Sequence, residues 1–266
     1  MNAPATRQPL PQQRLPAGVT SELWDYIHSD QIAEDYDDYF ALNRLFEFDE
    51  AVLRQHFTRP GLIVDLGAGT GRLLVPFARR GFRGLAVDLS PAMLQIVREK
   101  AERDDLPIDL LMANMVELEC LRDGTADYCI CMFSTLGMVR GAENRQRVLE
   151  QARRILKPGG LFGLHVHNFY FNFFDPGGCW WIVKNLMASF FRRDVEIGDK
   201  VFSYRGIPAM FLHVFRRREI TAALKQAGFR VESFVPLDPM RRRPLRWPWL
   251  LGTIRANGWI AVCRSP

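Results

Sequence analysis

The chain has 266 residues, of which 48% are hydrophobic and 24% charged, and its formal net charge is +5. This composition is typical of one large or two small soluble domains, and no apolar run approaches the length of a membrane span. The five cysteines include no C-x-x-C pair, which argues against disulfide and zinc frameworks. We therefore expect a cytoplasmic protein with no metal site and no integral membrane segment.

The charges are distributed unevenly along the chain. Residues 21–50 carry ten acidic side chains against one arginine, whereas residues 216–266 carry eleven Lys and Arg against three acids. The basic region could hold nucleic acid or an anionic lipid surface, with Trp247 and Trp249 as an interfacial anchor in the second case. The simpler interpretation, which we favour, is that the two regions are solvated or compensate each other.

The first elements in chain order are a tail and a helical segment. Residues 1–20 contain four prolines and no acidic or aromatic residue, which predicts a disordered tail. Residues 21–58 have apolar residues at helical spacing and are expected to form an N-terminal helical cap. Tyr36 and Tyr39 of this cap could close a binding site or simply pack between helices.

Residues 59–168 alternate short apolar runs with helical patterns. Helices are predicted from Thr70 to about Arg80, after Ser90 as N-cap, and up to Pro158. Strand and helix alternating at this spacing imply βαβ units and a parallel sheet. The five predicted strands are LIVDL (62–66), GLAVDL (84–89), IDLLMA (108–113), ADYCICMF (126–133) and LFGLHVHN (161–168).

The last third of the chain breaks and then resumes this alternation. Residues 169–217 are crowded with aromatic side chains, and we interpret them as an insertion after the fifth strand, over the open edge of the sheet. Residues 218–266 contain the helical pattern REITAALKQAGF and the strand patterns RVESFVPL and GWIAVC, which would complete the sheet.

The segment VDLGAGTGR (64–72) places three glycines directly after the first apolar run. Without Cβ atoms, Gly67, Gly69 and Gly71 allow a sharp turn and let a ligand approach the main chain. A dinucleotide fingerprint would need a glycine where Arg72 stands, and a P-loop would need Gly-Lys-Ser/Thr. The expected ligand is therefore a nucleoside without a phosphate chain, bound at the carboxyl ends of the strands.

This glycine segment resembles the first motif of the class I S-adenosylmethionine-dependent methyltransferases. The resemblance covers residues 60–168 densely and 218–235 loosely. It implies an α/β fold with a Rossmann-like, seven-stranded, mostly parallel sheet and helices on both faces. Four further segments match the family in order: AVDLSPAML (86–94), LMANMVEL (111–118), ADYCICMFSTLGMV (126–139) and RRILKPGGLF (153–162).

The resemblance also implies S-adenosyl-L-methionine as cofactor and methyl transfer as activity. Asp88 would bind both ribose hydroxyls, and Asp65 would order the glycine turn near the methionine end. Asn114 departs from the family, which normally has Asp there, so we expect a somewhat weaker hold on adenine. The full set of implied cofactor contacts is Asp65, Gly67, Ala68, Gly69, Gly71, Asp88, Met93, Asn114, Met115 and Met132.

Methyl transfer from a sulfonium needs an aligned nucleophile, and a base only when that nucleophile carries a proton. His165 and His167 share one face of the fifth strand; His167, nearer the carboxyl end, is the candidate base, whereas we expect His165 to be a packed core residue. Tyr204 is a second catalytic candidate, and Asn168, Tyr170 and His213 rank behind these. Residues 169–217 would form a substrate lid with its own small core.

The acceptor class is narrowed by motifs that the sequence lacks. The loop MFSTLG (132–137) carries neither the Asn/Asp-Pro-Pro-aromatic signature of amino-methylating nucleic-acid enzymes nor paired glutamates, and no Pro-Cys nucleophile is present. A small molecule is the expected acceptor. Two alternatives stay open: an RNA or protein methyltransferase that uses Arg216–Arg218 and Arg241–Arg243, and a non-catalytic cofactor-binding protein or scaffold. The oligomeric state is left open.

Overall fold

The structure is a computed structural model that describes residues 15–29 and 45–266. Residues 1–14 of the predicted tail, and Tyr36 and Tyr39 of the predicted cap, lie outside the described residues. The described helices are α1 Ser21–Ile27, α2 Leu45–Arg54, α3 Leu74–Ala78, α4 Pro91–Arg103, α5 Thr135–Met138, α6 Ala142–Ile155, α7 Gly178–Phe191, α8 Arg217–Gln226 and α9 Gly252–Arg255, with a 3-10 turn at Phe169–Phe174.

Nine strands form two sheets in this part of the chain. The larger sheet has seven strands in the order β3-β2-β1-β4-β5-β9-β8, and the smaller is the β6–β7 hairpin. The strands are β1 Leu62–Leu66, β2 Arg83–Asp88, β3 Ile108–Met112, β4 Ala126–Cys131, β5 Leu156–His167, β6 Asp199–Tyr204, β7 Ile207–His213, β8 Arg230–Pro236 and β9 Gly258–Arg264.

The predicted seven-stranded, mostly parallel sheet is confirmed. Strands β1 to β5 pair in parallel, and β9 runs antiparallel between β5 and β8. The strand order reverses between β1 and β4, because β1 lies between β2 on one side and β4 on the other. A reversal of this kind leaves a crevice at the carboxyl ends of the adjoining strands, where open α/β sheets bind ligands.

Both faces of the sheet are buried, as the continuous apolar runs predict. Along β1, Ile63 belongs to the apolar cluster on one face and Val64 to the cluster on the other. Cys129 and Cys131 of β4 share a face and are fully buried, as expected for small apolar side chains. Helices α6 and α8 cover that face, whereas α3 and α4 cover the opposite face. No described helix has the length and apolar character needed to cross a membrane.

The helix after β2 begins as the sequence predicts, and the helix after β1 is shorter than predicted. Ser90 caps α4, with its hydroxyl accepting a hydrogen bond from the Met93 N–H at 3.4 Å, and Pro91 stands at the first helical position. The chain from Gly67 to Leu73 forms turns instead of starting a helix at Thr70, because its glycines hold left-handed backbone angles.

Two segments lie differently from what the sequence predicts. Residues 15–20 of the predicted tail pack on the core: the Gly18 carbonyl accepts from the Arg140 N–H at 2.8 Å, and Thr20 caps α1. The insertion after β5 lies at the carboxyl ends of the strands and not along an edge strand, since its β6–β7 hairpin packs against α1 and α5. Both differences arise from long-range contacts that local composition does not encode.

Candidate functional site

The glycine turn after β1 is built from glycines with positive φ angles and different surroundings. Gly67 has a φ of 77°, and a Cβ there would lie 2.3 Å from Cγ2 of Thr135. Gly69 has a φ of 52°, and a Cβ there would meet nothing within 4 Å. The turn therefore excludes a side chain at Gly67 for packing reasons, whereas at Gly69 the missing side chain leaves space for a ligand.

Gly71 does not belong to the binding surface, contrary to the prediction. A Cβ at Gly71 would lie 3.2 Å from Val97 of α4 and 3.3 Å from Val75 of α3, and Gly71 does not line the adjoining cavity. Its φ of 74° and the close approach of these two valines explain the glycine. The third glycine of the motif thus serves helix packing.

Asp88, at the end of β2, faces the glycine turn. Its Oδ2 accepts a hydrogen bond from the Gly69 N–H at 2.8 Å, and its Oδ1 accepts from the Ser90 N–H at 2.9 Å. These bonds fix the carboxylate while leaving each oxygen a further acceptor position. Burial raises the pKa of Asp88, and the backbone hydrogen bonds oppose that shift. The carboxylate is thus held at the cavity wall, where it can accept two hydrogen bonds from a ligand diol.

Asp65 lines the same cavity from β1, and Asp88 accepts the hydrogen bond from the Gly69 N–H of the glycine turn. Asp65 is only 4% exposed. Burial raises the pKa of Asp65 to about 8, and the negative charge of Asp88 adds to the shift. The Asp65 carboxyl is therefore mostly protonated at neutral pH, and a cationic ligand group beside it would favour the ionised form.

A cavity of about 660 Å³ lies at the carboxyl ends of β1 to β5. All predicted cofactor contacts except Gly71 line it, and so do both catalytic candidates, His167 and Tyr204. The insertion contributes to the wall, in keeping with the lid expected at residues 169–217, whereas sequence reasoning missed the contributions of residues 17–19 and of the loop before β9. The additional lining residues include Ala17, Gly18, Val19, Tyr26, Phe171, Asn172, Lys200, Phe202, Phe211, Met240 and Arg241.

Asn114, the residue that departs from the family, fastens the N-terminal segment to the sheet. Its side-chain amide donates to the Ala17 carbonyl at 3.0 Å, and its Oδ1 accepts from the Val116 N–H at 3.2 Å. An aspartate could accept from Val116 but, as a carboxylate, could not donate to Ala17. The amide therefore has a role in this chain that a carboxylate could not fill.

His167 is brought to the cavity as predicted, in an environment that keeps it neutral. Burial, together with the positive charge of Arg241, lowers the pKa of His167 to about 3. Its ring lies 5.1 Å from the ring of His165, which is fully buried and, among the described residues, has no hydrogen-bond partner at either nitrogen. A neutral His167 can orient a hydroxyl by hydrogen bonding, but it is a weak proton acceptor at neutral pH.

Arg241 is a cavity residue that sequence reasoning did not single out from its cluster. It is 4% exposed, donates to Oδ2 of the fully buried Asp49 at 2.9 Å, and its guanidinium lies 5.0 Å from the centre of the Phe133 ring. Burial raises the pKa of Asp49 to about 6, and the guanidinium opposes the shift. The one available signal, three successive arginines at 241–243, does not show which arginine is buried.

The turn after β4 carries backbone strain beside the cavity. Phe133 and Ser134 have φ angles of 58° and 62°, which non-glycine residues seldom adopt. The Met132 carbonyl accepts from both the N–H and the hydroxyl of Thr135, at 3.2 and 2.7 Å, and this stabilises the turn. Strained residues of this kind concentrate at binding sites, and here they present Met132 and Phe133 to the cavity.

His213 stands in an ion-pair network that joins the hairpin to the core, and it does not line the cavity. Its Nδ1 lies 2.8 Å from Asp199 and its Nε2 lies 2.7 Å from Glu219. Burial opposes the charged form, but these two hydrogen bonds raise the pKa of His213. The side chains of Glu196, Asp199 and His213 lie close enough together to ligate a metal ion. The Glu196 carboxylate also pairs with Arg145. The His213 ring is thus held between the carboxylates of Asp199 and Glu219.

Comparison with known proteins identifies a family for the central part of the chain. A profile described as "Methyltransferase domain" matches residues 63–160. A protein of Geobacillus sp. (strain WCH70), whose name assigns it provisionally to the methyltransferases, is 34% identical over 110 residues, 41% of this chain and 43% of that protein. The chain thus matches less than half the length of this curated relative.

Solved structures share the fold over most of the chain. An S-adenosylmethionine-dependent methyltransferase from Methanosarcina mazei matches with a TM-score of 0.63 and 17% identity, covering 80% of this chain and 96% of that chain. A 1,6-didemethyltoxoflavin-N1-methyltransferase from Burkholderia thailandensis, solved with 1,6-didemethyltoxoflavin and S-adenosylhomocysteine, matches with a TM-score of 0.61 and 17% identity, covering 94% and 92%. At these identities the likeness shows the fold.

Proposed function

The chain belongs to the class I S-adenosylmethionine-dependent methyltransferases, and from that premise we propose that it transfers a methyl group from S-adenosyl-L-methionine to a nucleophile on a small molecule. The cofactor is S-adenosyl-L-methionine, as the resemblance of the sequence to this family implies. The observation that carries the proposal is the Asp88 carboxylate, hydrogen-bonded to the Gly69 N–H at 2.8 Å beside a cavity of about 660 Å³.

The residues of the glycine turn fit the cofactor. The missing Cβ of Gly69 leaves open space at the turn, and the two oxygens of Asp88 can each accept from a ribose hydroxyl. Asp65, with its pKa raised to about 8, would ionise next to a cationic ammonium or sulfonium group. The bound cofactor supplies an electrophilic methyl carbon; the protein aligns it with the acceptor and excludes water.

The opposite wall of the cavity suits a small, partly apolar acceptor. It is lined by side chains such as Phe171, Phe202 and Phe211, with His167 and Tyr204 among the polar groups. Small-molecule sites are concave, mostly apolar and of about 300–1,000 Å³. Neutral His167 would orient the acceptor by a hydrogen bond, and Tyr204 is the second candidate for that task.

The alternative of an RNA or protein acceptor has less support. It depends on the arginines at 216–218 and 241–243, but Arg241 is buried against Asp49, and Arg216 lies 3.6 Å from Glu219. Arginines paired within the protein contribute little to a surface that would hold a polyanion. The scaffold alternative is opposed by the open cavity beside Asp88.

Titration calorimetry with S-adenosylmethionine and its demethylated product tests the proposal. The affinities of the unmodified protein are compared with those of the variant Asp88→Asn. An asparagine amide would face either the Gly69 or the Ser90 N–H and would lose one acceptor oxygen, so we expect affinity to fall by about tenfold or more. Asp109→Asn is the matched control, because Asp109 lies on the neighbouring strand β3 with its side chain 76% exposed. We expect the control to bind like the unmodified protein.

The acceptor is tested by adding methyl-labelled cofactor to cell extract and separating small-molecule, lipid, protein and RNA fractions. We expect label in the small-molecule fraction, and its loss with Asp88→Asn. Label confined to the protein or RNA fraction would overturn the proposed acceptor class. Absence of cofactor binding by the unmodified protein would overturn the proposed activity itself.

A further inference from the structure

Exposed apolar side chains are concentrated in two segments of the chain. Fifteen large hydrophobic side chains are exposed in the described part of the chain, and thirteen of them lie in residues 173–191 or 240–251. We call these thirteen the aromatic face: Phe173, Phe174, Trp180, Val183, Leu186, Met187, Phe190, Phe191, Met240, Trp247, Trp249, Leu250 and Leu251. Concentration on this scale marks an interaction surface, since isolated exposed hydrophobics are usually scattered.

The 3-10 turn at 169–174 joins the two halves of the aromatic face. Helices α7 and α9 both pack on this turn. Asn168, at the start of the turn, donates to the Thr253 and Ala256 carbonyls at 2.7 Å each, which ties the turn to α9. Phe173 and Phe174 of the turn are themselves exposed, and from this packing we infer that the two halves form one face.

Helix α7 buries one side against the protein and exposes an apolar side to solvent. Its inner side buries Gly178, Ile182 and Asn185, and the Asn185 side chain bonds to Gly198 and Asp199 of the insertion. The helix contains one charged residue and no acid. Its outward stripe, at spacings of three and four residues, consists of Trp180, Val183, Met187 and Phe190.

The two segments of the aromatic face carry an excess of cations. Residues 173–191 and 240–251 contain five Lys and Arg and one acid, Asp175, and of these five only Arg241 is buried, while Arg243 lies 3.5 Å from Asp238. Lys184 lies 5.2 Å from the Trp180 ring, and Arg246 lies 4.4 Å from the Trp247 ring. Tryptophan combined with exposed cations is the pattern of a surface that enters the headgroup layer of a lipid bilayer.

We propose that the aromatic face docks on the surface of an anionic lipid bilayer. Exposed aromatic and aliphatic side chains would enter the acyl boundary, while the flanking cations would meet lipid phosphates. A second copy of the chain is a poorer occupant, because it would bring the same excess of Lys and Arg against an equally basic surface. Docking of this kind does not require methyl transfer.

Docking would also orient the cavity. Among the residues that line it, Asp175, Pro239 and Met240 are the exposed ones, so this part of the cavity lining lies at the protein surface. Met240 belongs to the aromatic face, and Asp175 directly follows the 3-10 turn. The cavity would then open toward the headgroup layer, which for an apolar acceptor shortens the path from lipid; this last step rests on the proposed function.

Vesicle sedimentation tests the proposal with the full chain. Vesicles of phosphatidylcholine with phosphatidylglycerol are compared with phosphatidylcholine alone, for the unmodified protein, for the double variant Phe190→Glu with Trp249→Glu, and for Met112→Glu. Phe190 and Trp249 are 82% and 80% exposed, and Met112 is 64% exposed on strand β3, outside the face. Charged residues at such positions leave the packed core intact.

We expect binding to the anionic vesicles, reduced by about tenfold or more in the double variant and unchanged in Met112→Glu. No binding by the unmodified protein, or equal losses in both variants, would overturn the proposal. Light scattering that shows a dimer dissociated by the double variant, without vesicle binding, would assign the face to self-association and also overturn it. Cofactor titration of the same variants reports separately on the proposed function.

Discussion

Asn114→Asp tests whether the N-terminal wall of the cavity depends on one side-chain amide. The amide donates to the Ala17 carbonyl at 3.0 Å, and the adjacent Gly18 carbonyl accepts from the Arg140 N–H at 2.8 Å. The introduced carboxylate would present an oxygen to the Ala17 carbonyl oxygen at that distance. The segment that carries Ala17 and Gly18 should then detach more often.

The size of the effect follows from the geometry. Loss of a neutral hydrogen bond and an unsatisfied carbonyl at a site where Asn114 is 9% exposed together cost about 1–3 kcal/mol. At about 1.4 kcal/mol per factor of ten, opening of the segment becomes roughly five- to 150-fold more frequent. The Val116 N–H keeps its acceptor, so the sheet itself should be unaffected.

Hydrogen exchange at the Arg140 amide measures this opening in the protein without cofactor. Asn144→Asp is the control, since the Asn144 amide donates to the Arg140 carbonyl at 2.8 Å and its replacement adds the same charge close to the same probe. We expect faster exchange at Arg140 in Asn114→Asp beyond that in the control. We also expect weaker cofactor binding, the reverse of what the resemblance alone implies for an aspartate at this position, because the Asn114 amide holds the Ala17 carbonyl. Equal exchange in the two variants, or tighter cofactor binding by Asn114→Asp, would refute the reasoning.

Two further predictions concern the glycine turn and the carboxyl beside it. Gly67→Ala should lower the free energy of unfolding by about 2–4 kcal/mol, because its methyl would lie 2.3 Å from Thr135. Gly69→Ala should lower the free energy of unfolding by only about 1 kcal/mol, while weakening cofactor affinity. Equal destabilisation of the two variants in denaturant titrations would contradict this prediction. Because the folded state raises the Asp65 pKa from 3.8 to about 8, the folded protein binds more protons than the unfolded chain in that window, and its stability should fall as pH rises through it. Denaturant titration across this pH range should show a smaller fall in Asp65→Asn, and identical profiles would count against the raised pKa.

The fold could be predicted because its signals are local. Apolar runs at β1, β2 and β4, Ser90 at a helix N-terminus and the glycines after β1 each act through neighbours in sequence. The conformation of a residue such as Gly67 depends on backbone sterics, which residue type reveals directly. Asp88 could be placed for a related reason: it ends a strand adjacent to β1, and parallel strands bring their carboxyl ends together.

The environment of each site residue could not be predicted in the same way. The sequence presents Gly67, Gly69 and Gly71 as equivalent, but helix α4 approaches only Gly71, and only Gly67 and Gly69 line the cavity. His167 lines the cavity as expected, whereas its neutrality comes from burial and from Arg241, far along the chain. The charge state of such a group depends on everything packed around it.

The sequence by itself therefore determined the alternation of strands and helices, the glycine turn and the position of the Asp88 carboxylate, because backbone sterics and hydrophobic periodicity act over a few residues. Tertiary structure alone decided that Ala17 to Val19 close the cavity through Asn114, that Arg241 is buried while its neighbours are exposed, and that α7 turns its apolar side outward. Those outcomes depend on contacts between distant segments, and neither burial nor electrostatic environment exists for a residue until those segments meet.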